Sequence, residues 1–420
     1  MSEKNLQSIR GTQDIFGKNL EIMNQVIDVA RCKARIFGYQ EIITPIFENS
    51  NVFFRTLGDT SDIVSKETYT FLDRDKTSIT LRPELTAPIV RAAISNNLLQ
   101  DLPLKLFSAG PLFRHERPQK ARYRQFNQVS YEFFGSDSIA SDVETIAMAD
   151  SIIEALGICD TTELNINSMG DIESRKKYEL AIKDYLGCYK TSLSHESKIR
   201  LERNPLRILD SKDKTDQEIL NGVPKIIDFL SKEVRSKYER LLSYLHDIGI
   251  KYKQNHKLVR GLDYYTGVVF EIITDNLGSQ GTVIAGGRYD ELVSAMGGSC
   301  VPAIGFALGV ERLAALLETR VDIANKKLGI PIIPIGEDAE EYSIKLIHSL
   351  RSFELPVYID YGLSLKKRMQ KANKRGADFV IIFGDSELTE KNCIVKNMTT
   401  GIEQIVKFEN LPSYFEGLKV

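Results

Sequence analysis

The stretch FRHERPQKARYRQFNQVSYEFFG (113–135) decides how this chain is read. RQFNQVSYEFFG has the character of a β-strand, and so does LKLFSAGPLFRH just before it. Between them ERPQKARY is polar and basic. The pattern predicts a hairpin with a positive loop longer than a tight turn needs, and long loops in compact domains are often functional. Side chains alternate along a strand, so Phe126, Gln128, Ser130, Glu132 and Phe134 share one face. The opposite face, with Gln125, Asn127, Val129, Tyr131 and Phe133, is no cleaner as a core face. Pattern alone leaves open whether the first face meets solvent or a ligand. The preceding residues favour a ligand. Arg114, Arg117, Lys120, Arg122 and Arg124 stand against a single acid, Glu116, whereas a solvated charge run usually mixes signs. A basic tip on a stem ending in carboxylate and amide suits a polyphosphate at one end and a small polar molecule at the other.

Working outward, residues 17–37 predict an amphipathic helix. Leu20, Met23, Ile27 and Ala30 recur at helical spacing, Val26 and Val29 widen the stripe, and Gly38 ends it. YQEIITPIFE reads as a strand closed by a turn at Pro45. Residues 171–256 are rich in Lys, Glu and Ser at helical spacing and read as a helical insertion. Strand signals return at VVFEIIT (268–274) and TVIAGG (282–287), and a helix follows GFALG through VERLAALLE. VDIANKKL (321–328) reads as a linker. Beyond it PIIPIG, PVYIDY, ADFVIIFG and CIVKNM alternate with helical stretches, a βαβα rhythm that predicts a separate α/β domain over 328–420.

Bulk properties exclude several classes. A chain of 420 residues suggests two or three domains, and 42% hydrophobic with 27% charged residues is ordinary for a soluble globular protein. A formal net charge of −2 advertises no overall affinity for nucleic acid, yet leaves room for a local basic site. Cys32, Cys159, Cys188, Cys300 and Cys393 form no CxxC pair and are odd in number, which fits reduced thiols in the cytoplasm better than disulfides or zinc. The five histidines show no metal-ligand spacing, so no protein metal site is expected. The N-terminus lacks the pattern of a signal or transit peptide, and no apolar run approaches the roughly 18 residues of a membrane span. GxxxxGK[ST], GxGxxG, GxSxG and HExxH are all missing, so ATP, if used, is held by another device.

FRHERPQKARYRQF (113–126) resembles the second signature motif of class II aminoacyl-tRNA synthetases, in the form typical of histidyl-tRNA synthetases. LVRGLDYYTGVVFE (258–271) resembles the motif peculiar to the histidyl enzymes. AGGRYDELV and PAIGFALGVERL (285–313) resemble their glycine-rich segment and third class II motif, and LRPELTAP (81–88) their substrate-binding loop. The resemblance implies an α+β catalytic domain over 1–325, with an antiparallel sheet flanked by helices and the insertion at about 171–256. It also implies a C-terminal α/β anticodon-binding domain over 328–420. It further implies a homodimer with GYQEIITPIFE at the interface, histidine and ATP as substrates, Mg²⁺ with the ATP, and tRNA(His) as partner.

Residue by residue, the resemblance assigns Glu84, Thr86 and Gln128 to the α-amino group of histidine, where a carboxylate and neighbouring oxygens suit an ammonium. Glu132 and Tyr265 go to the imidazole, and Tyr289 to the pocket wall. Because strand residues alternate, only one of Tyr264 and Tyr265 is expected to face the ligand, Tyr265 being favoured. Arg114 and Arg260 carry the chemistry, offsetting charge as the histidine carboxylate meets the α-phosphorus; a salt bridge with Asp263 is the structural alternative for Arg260. Phe126 is the platform for adenine, Arg312 the partner of the terminal phosphates, and Glu116 and Arg122 border the nucleotide. Arg117, Gln119 and Lys120 are assigned to the acceptor end of tRNA. In LSLKKRMQKANKRGADF (363–379) Lys367, Lys371 and Arg375 are assigned to RNA, with a merely solvated helix face as the alternative. The chain departs from many relatives at PELTAP and at Asn127 and Ser130, where His and small residues are frequent. The rival from another class is a histidine-binding regulatory paralogue of ATP phosphoribosyltransferase, which typically lacks the C-terminal domain.

Overall fold

The computed structural model describes residues 6–57, 67–119, 121–260, 264–318, 320, 329–362 and 364–417. Lys120, Asp263 and the 321–328 linker therefore lie outside the described residues. The chain divides into two compact units, one made of Met1–Ile15 and Ile22–Val321, the other of Phe16–Glu21 and Asp322–Val420.

The first unit is built on an eight-stranded sheet. Its order is Gln40–Glu41, Leu104–Phe113, Gln125–Phe134, Ala303–Gly309, Thr282–Arg288, Thr266–Ile273, Glu163–Ser168 and Lys253–Gln254. The six central strands pair antiparallel, and the two-residue strands at each edge pair parallel. This is the antiparallel sheet with helices that the resemblance implied. The hairpin forms as read: Leu104–Phe113 pairs with Gln125–Phe134 in unbroken register, and Arg114 N–H donates to Arg124 O at 2.9 Å across the base of the loop.

From Val129 to Phe134 both faces of Gln125–Phe134 are buried, so the solvent-exposed reading fails there, while Gln125 is exposed and Phe126, Asn127 and Gln128 are half-buried. On one face Tyr131 is fully buried, stacks on Phe107 and Phe306, and donates its hydroxyl to Ala30 O at 3.0 Å. Ala30 belongs to the helix Lys18–Ile36, whose buried residues are Ile22, Met23, Val26, Ala30 and Ala34. Met23, Val26 and Ala30 are buried as expected, while Leu20 is exposed and Ile22 and Ala34 complete the stripe. YQEIITPIFE is not one strand. Gln40–Glu41 joins the large sheet, while Phe47–Asn49 joins a separate three-stranded sheet with Ser78–Leu81 and Tyr69–Leu72, because Pro45 interrupts the ladder.

The 171–256 stretch forms the helices Ile172–Gly187, His195–Arg203, Lys214–Ile219 and Lys232–Asp247 with short 3₁₀ turns. Asp171, Ser194, Asp213 and Ser231 cap them, each accepting a backbone N–H of the first turn. Its Tyr178, Ile182, Leu186 and Leu206 share one apolar cluster with Leu85, Tyr265 and Tyr289 of the sheet side.

In the second unit a five-stranded sheet runs Val357–Ile359, Ile330–Ile335, Phe379–Gly384, Asn392–Asn397 and Glu403–Lys407. The first three strands are parallel and the last two antiparallel. Four strands lie where the rhythm put them. Glu403–Lys407 was missed, for it is an edge strand with only Val406 buried and carries no apolar run.

Candidate functional site

Above the hairpin lies a cavity of about 370 Å³. Every residue read as binding histidine or nucleotide lines it: Glu84, Thr86, Arg114, Glu116, Arg122, Phe126, Gln128, Glu132, Arg260, Tyr264, Tyr265, Tyr289 and Arg312. These residues come from five separated segments of the chain. Alternation along Gln125–Phe134 places Phe126, Gln128, Ser130 and Glu132 on the cavity floor, while Phe134, expected on the same face, is sealed in the apolar cluster. Small residues flank the readers. Gln128 lies between Gly110 and Gly309, and Glu132 pairs with Gly305. A Cβ at 305 would collide with Glu132 Oε2 and Tyr131 O, so only glycine fits there.

One end of the cavity is built around two buried carboxylates. Glu132 accepts from Thr86 Oγ1 at 2.7 Å, from Ser130 Oγ at 2.6 Å and from the Tyr289 hydroxyl. Burial pushes its pKa from 4.5 up to about 8, against the pull of those three hydroxyls. Glu84 is not the surface carboxylate its Pro-turn context allows. It is buried and accepts the backbone N–H groups of Thr86 (2.6 Å) and Ala87 (2.7 Å) at the start of the helix Thr86–Ser95. Burial raises its pKa too, while those N–H groups and the Arg114 charge lower it. Around these acids the rings of Tyr264, Tyr265 and Tyr289 meet within 4.8–6.5 Å. The expectation that one of Tyr264 and Tyr265 would turn away is corrected: the strand starts at Thr266, so both precede it and alternation does not apply.

The other end is positive. Arg312, on the helix Val310–Leu317, is brought down to about 10 by burial and then by the charges of Arg114, Arg122 and Arg260, so four guanidinium groups converge. Arg114 is anchored by donation from Nε to Pro83 O at 2.8 Å and lies 5.3 Å from the Phe126 ring centroid. Arg122 pairs with the buried Glu116. Arg312 Nη1 donates to Thr282 O at 2.6 Å. Arg260 is fixed by Glu271 at 3.3 Å, and Glu271 also accepts from Thr282 Oγ1 at 3.0 Å.

The basic residues of the loop and the tail separate. Arg117 and Gln119 are exposed and outside the cavity. The Arg124 side chain donates from Nε to Glu116 O and from Nη1 to Arg10 O, each at 3.3 Å, and does not line the cavity. In the helix Leu365–Lys374 the basic run is not one solvated face. Arg368 is buried and donates to Pro334 O at 2.7 Å, Lys371 pairs with buried Asp360, and Arg375 lies over Tyr358. Lys366, Lys367 and Lys374 face solvent.

Sequence reasoning missed Glu271, Glu311, Thr282 and Asp210. Glu311 lines the cavity and accepts three hydrogen bonds from Asn127, two from its backbone N–H and one from its amide, at 2.8–2.9 Å. Its signal was its place beside Arg312. Asp210 reaches the cavity from the insertion, and nothing local marks it.

A profile of the family described as histidyl-tRNA synthetase matches residues 11–172 and 199–313. The chain belongs to the histidyl-tRNA synthetase family. A profile described as an anticodon binding domain matches 330–418. A histidine–tRNA ligase of Wolbachia pipientis subsp. Culex pipiens is 48% identical over 95% of this chain and 97% of its own length. One of Rhodospirillum rubrum is 46% identical over 96% of each. The crystal structure of apo S. aureus histidyl-tRNA synthetase superposes with a TM-score of 0.81 at 34% identity, covering 98% of this chain and 99% of the other. With histidyl-tRNA synthetases matching nearly end to end, the regulatory-paralogue reading is not favoured. Among the described residues no helix is long and apolar enough to cross a membrane.

Proposed function

We infer that the cavity carries out the family's reaction, histidine–tRNA ligation. Histidine is activated with ATP to histidyl-adenylate, and the histidyl group then passes to the 3′-terminal ribose of tRNA(His). One observation carries the assignment of residues: four guanidinium groups converge at one end of a cavity whose other end holds two buried carboxylates.

In this reading Glu84, Thr86 and Gln128 hold the α-ammonium, and Glu132 with Tyr264, Tyr265 and Tyr289 surrounds the imidazole. A site that pairs both ring nitrogens leaves buried polar groups unpaired when another amino acid enters, which can reject it by roughly 10⁴–10⁵-fold. Arg114 and Arg260 steer the substrate carboxylate onto the α-phosphorus and take up the charge that builds on its oxygens as pyrophosphate leaves. Phe126 lies under adenine, and Arg312 holds the terminal phosphates, with Glu116 and Arg122 at the nucleotide's edge. In the second step a ribose hydroxyl attacks the histidyl carbonyl and AMP leaves.

Magnesium would enter with ATP. Glu116 and Glu311 are hard oxygen donors beside the arginines, and one or two carboxylates plus phosphates are the usual magnesium set, so the residues fit. The ion would neutralise phosphate charge. The exposed loop residues Arg117 and Gln119, with Lys120, are placed at the acceptor end of tRNA, and the C-terminal unit at the anticodon. A homodimer is supported by the three-stranded sheet, one face of which presents Phe47, Tyr69, Phe71, Ile79 and Leu81, with Phe47 and Phe71 exposed. The free cysteines, four of them exposed, suit a reducing cytoplasm.

The test is histidine-dependent exchange of pyrophosphate into ATP, followed by addition of tRNA. Exchange with histidine alone among amino acids, its loss in Arg260→Ala, and charging of tRNA support the assignment. Histidine binding with neither exchange nor charging overturns it.

A further inference from the structure

The carboxylate of Glu132 has four lone-pair positions. Two hydroxyls, from Thr86 and Ser130, occupy Oε1, and the Tyr289 hydroxyl occupies one position on Oε2. One acceptor position on Oε2 is left. It is left only because residue 305, the cross-strand partner, has no side chain. Thr86 and Tyr289 come from other parts of the chain, but Ser130 lies two residues before Glu132 on the same strand face, 1% exposed, and its hydroxyl has this one carboxylate as its partner.

We propose that Ser130 is a positioning and specificity-determining residue. Its hydroxyl holds Glu132 Oε1 in place, and so presents a single charged acceptor to one imidazole N–H of the substrate. The inference rests on the assignment of Glu132 to the imidazole. The hydroxyl acts in two ways. It locks the carboxylate rotamer, so the remaining lone pair has one direction. It also favours the charged form of a group that burial disfavours, since a hydroxyl donating to a carboxylate stabilises the anion. Thr86 and Tyr289 donate to the same carboxylate and act in the same sense, so Ser130 adds the third of three hydroxyls that favour the anion. Glu84, across the pocket, opposes its charge, and Tyr264 and Tyr265 are raised further by the field of Glu132 itself. Its lateral neighbours on the sheet, Leu106 and Gly305, are uncharged.

Without that donor Glu132 is held through Thr86 and Tyr289 alone. The hydroxyl is therefore an added control on the protonation state of the imidazole reader.

The experiment is the pH profile of kcat/KM for histidine in pyrophosphate exchange, with KM for ATP measured in parallel, for wild type, Ser130→Ala and Glu132→Gln. Loss of one hydroxyl to a buried carboxylate moves the inflection of the profile up by about one pH unit and raises KM for histidine about tenfold at pH 7. KM for ATP and the limiting kcat stay within about twofold. At pH values above the displaced inflection the variant approaches wild type, an outcome that simple loss of packing does not produce. Glu132→Gln removes the inflection altogether. If Glu132→Gln removes it and Ser130→Ala leaves it in place, the inference about Ser130 is overturned while the role of Glu132 stands. If Glu132→Gln leaves both the inflection and KM for histidine unchanged, the assignment of Glu132 fails, and the inference with it.

Discussion

Arg260 and Glu271 form an ion pair at 3.3 Å, with both side chains more than four-fifths buried. Glu271 is placed by register: its strand partner is Ala285, and its carboxylate also takes the Thr282 hydroxyl. A long arginine side chain reaching into a cavity has many rotamers, and this pair selects one. Arg260→Ala removes a charge aimed at the phosphoryl group and is expected to lower exchange by roughly 10²–10³-fold. Glu271→Gln keeps Arg260 but loosens it, and is expected to cost about tenfold to a hundredfold in kcat with little change in KM for histidine. Single-turnover formation of the adenylate checks both. Equal effects of the two on KM alone would contradict the positioning role.

Gly305 faces Glu132 across the sheet with no room for a Cβ. Gly305→Ala is expected to displace the carboxylate and raise KM for histidine by about 10²-fold or more, on the scale that small misplacements cost in such sites. KM for ATP and the far-ultraviolet circular dichroism spectrum stay near wild type. Equilibrium binding of histidine, measured calorimetrically, gives the same answer without the chemistry.

The raised pKa of Glu132 also makes stability depend on pH. In the folded protein without substrate the group holds its proton up to about 8, against an ordinary 4.5. The folded state therefore binds more protons than the unfolded one between those values, and this contribution is fully present below about 4.5 and lost as pH rises towards 8. Thermal unfolding followed from pH 5.5 to 8.5 is expected to show wild type losing stability relative to Glu132→Gln as pH increases. Parallel curves for the two proteins would contradict the assignment.

The basic run of the C-terminal unit divides into two classes with different outcomes. Replacing the exposed Lys366, Lys367 and Lys374 by Ala is expected to weaken tRNA binding and to flatten its salt dependence, by a slope of up to about 0.7–0.9 for each phosphate no longer neutralised. Histidine activation survives. Arg368→Ala and Lys371→Ala instead strip partners from Pro334 O and buried Asp360, and are expected to destabilise that unit by about 1–3 kcal/mol. Filter binding across salt concentrations and thermal denaturation separate the classes. Unchanged tRNA affinity in the triple variant would remove the helix from the RNA surface.

Much of the site was legible because its chemistry is written in short segments. The hairpin needed only alternation and a one-signed charge run, and the structure puts Phe126, Gln128 and Glu132 on one face as alternation requires. The same rule misled at Tyr264 and Tyr265, where no strand exists to alternate. It also gave no hint that Phe134, on the reading face, is sealed in the core. Periodicity found the first helix and put Met23, Val26 and Ala30 in its buried stripe, but it chose Leu20 where Ile22 is the residue turned inward, since both are apolar and the local pattern does not separate them.

Residue identity and local order were thus determined by the sequence alone: the guanidinium, carboxylate and phenol groups, the strands that display them, and the family they mark. What those groups touch was decided by the tertiary structure. Glu132 meets Thr86 from 46 positions away and Tyr289 from 157. Asn127 meets Glu311 across 184. Glu84 became a buried acceptor at a helix start rather than a surface acid. Such pairings depend on the register of several strands and on where glycine leaves space between them. A local period carries neither, because it describes which way a side chain points and not what the rest of the chain brings to meet it.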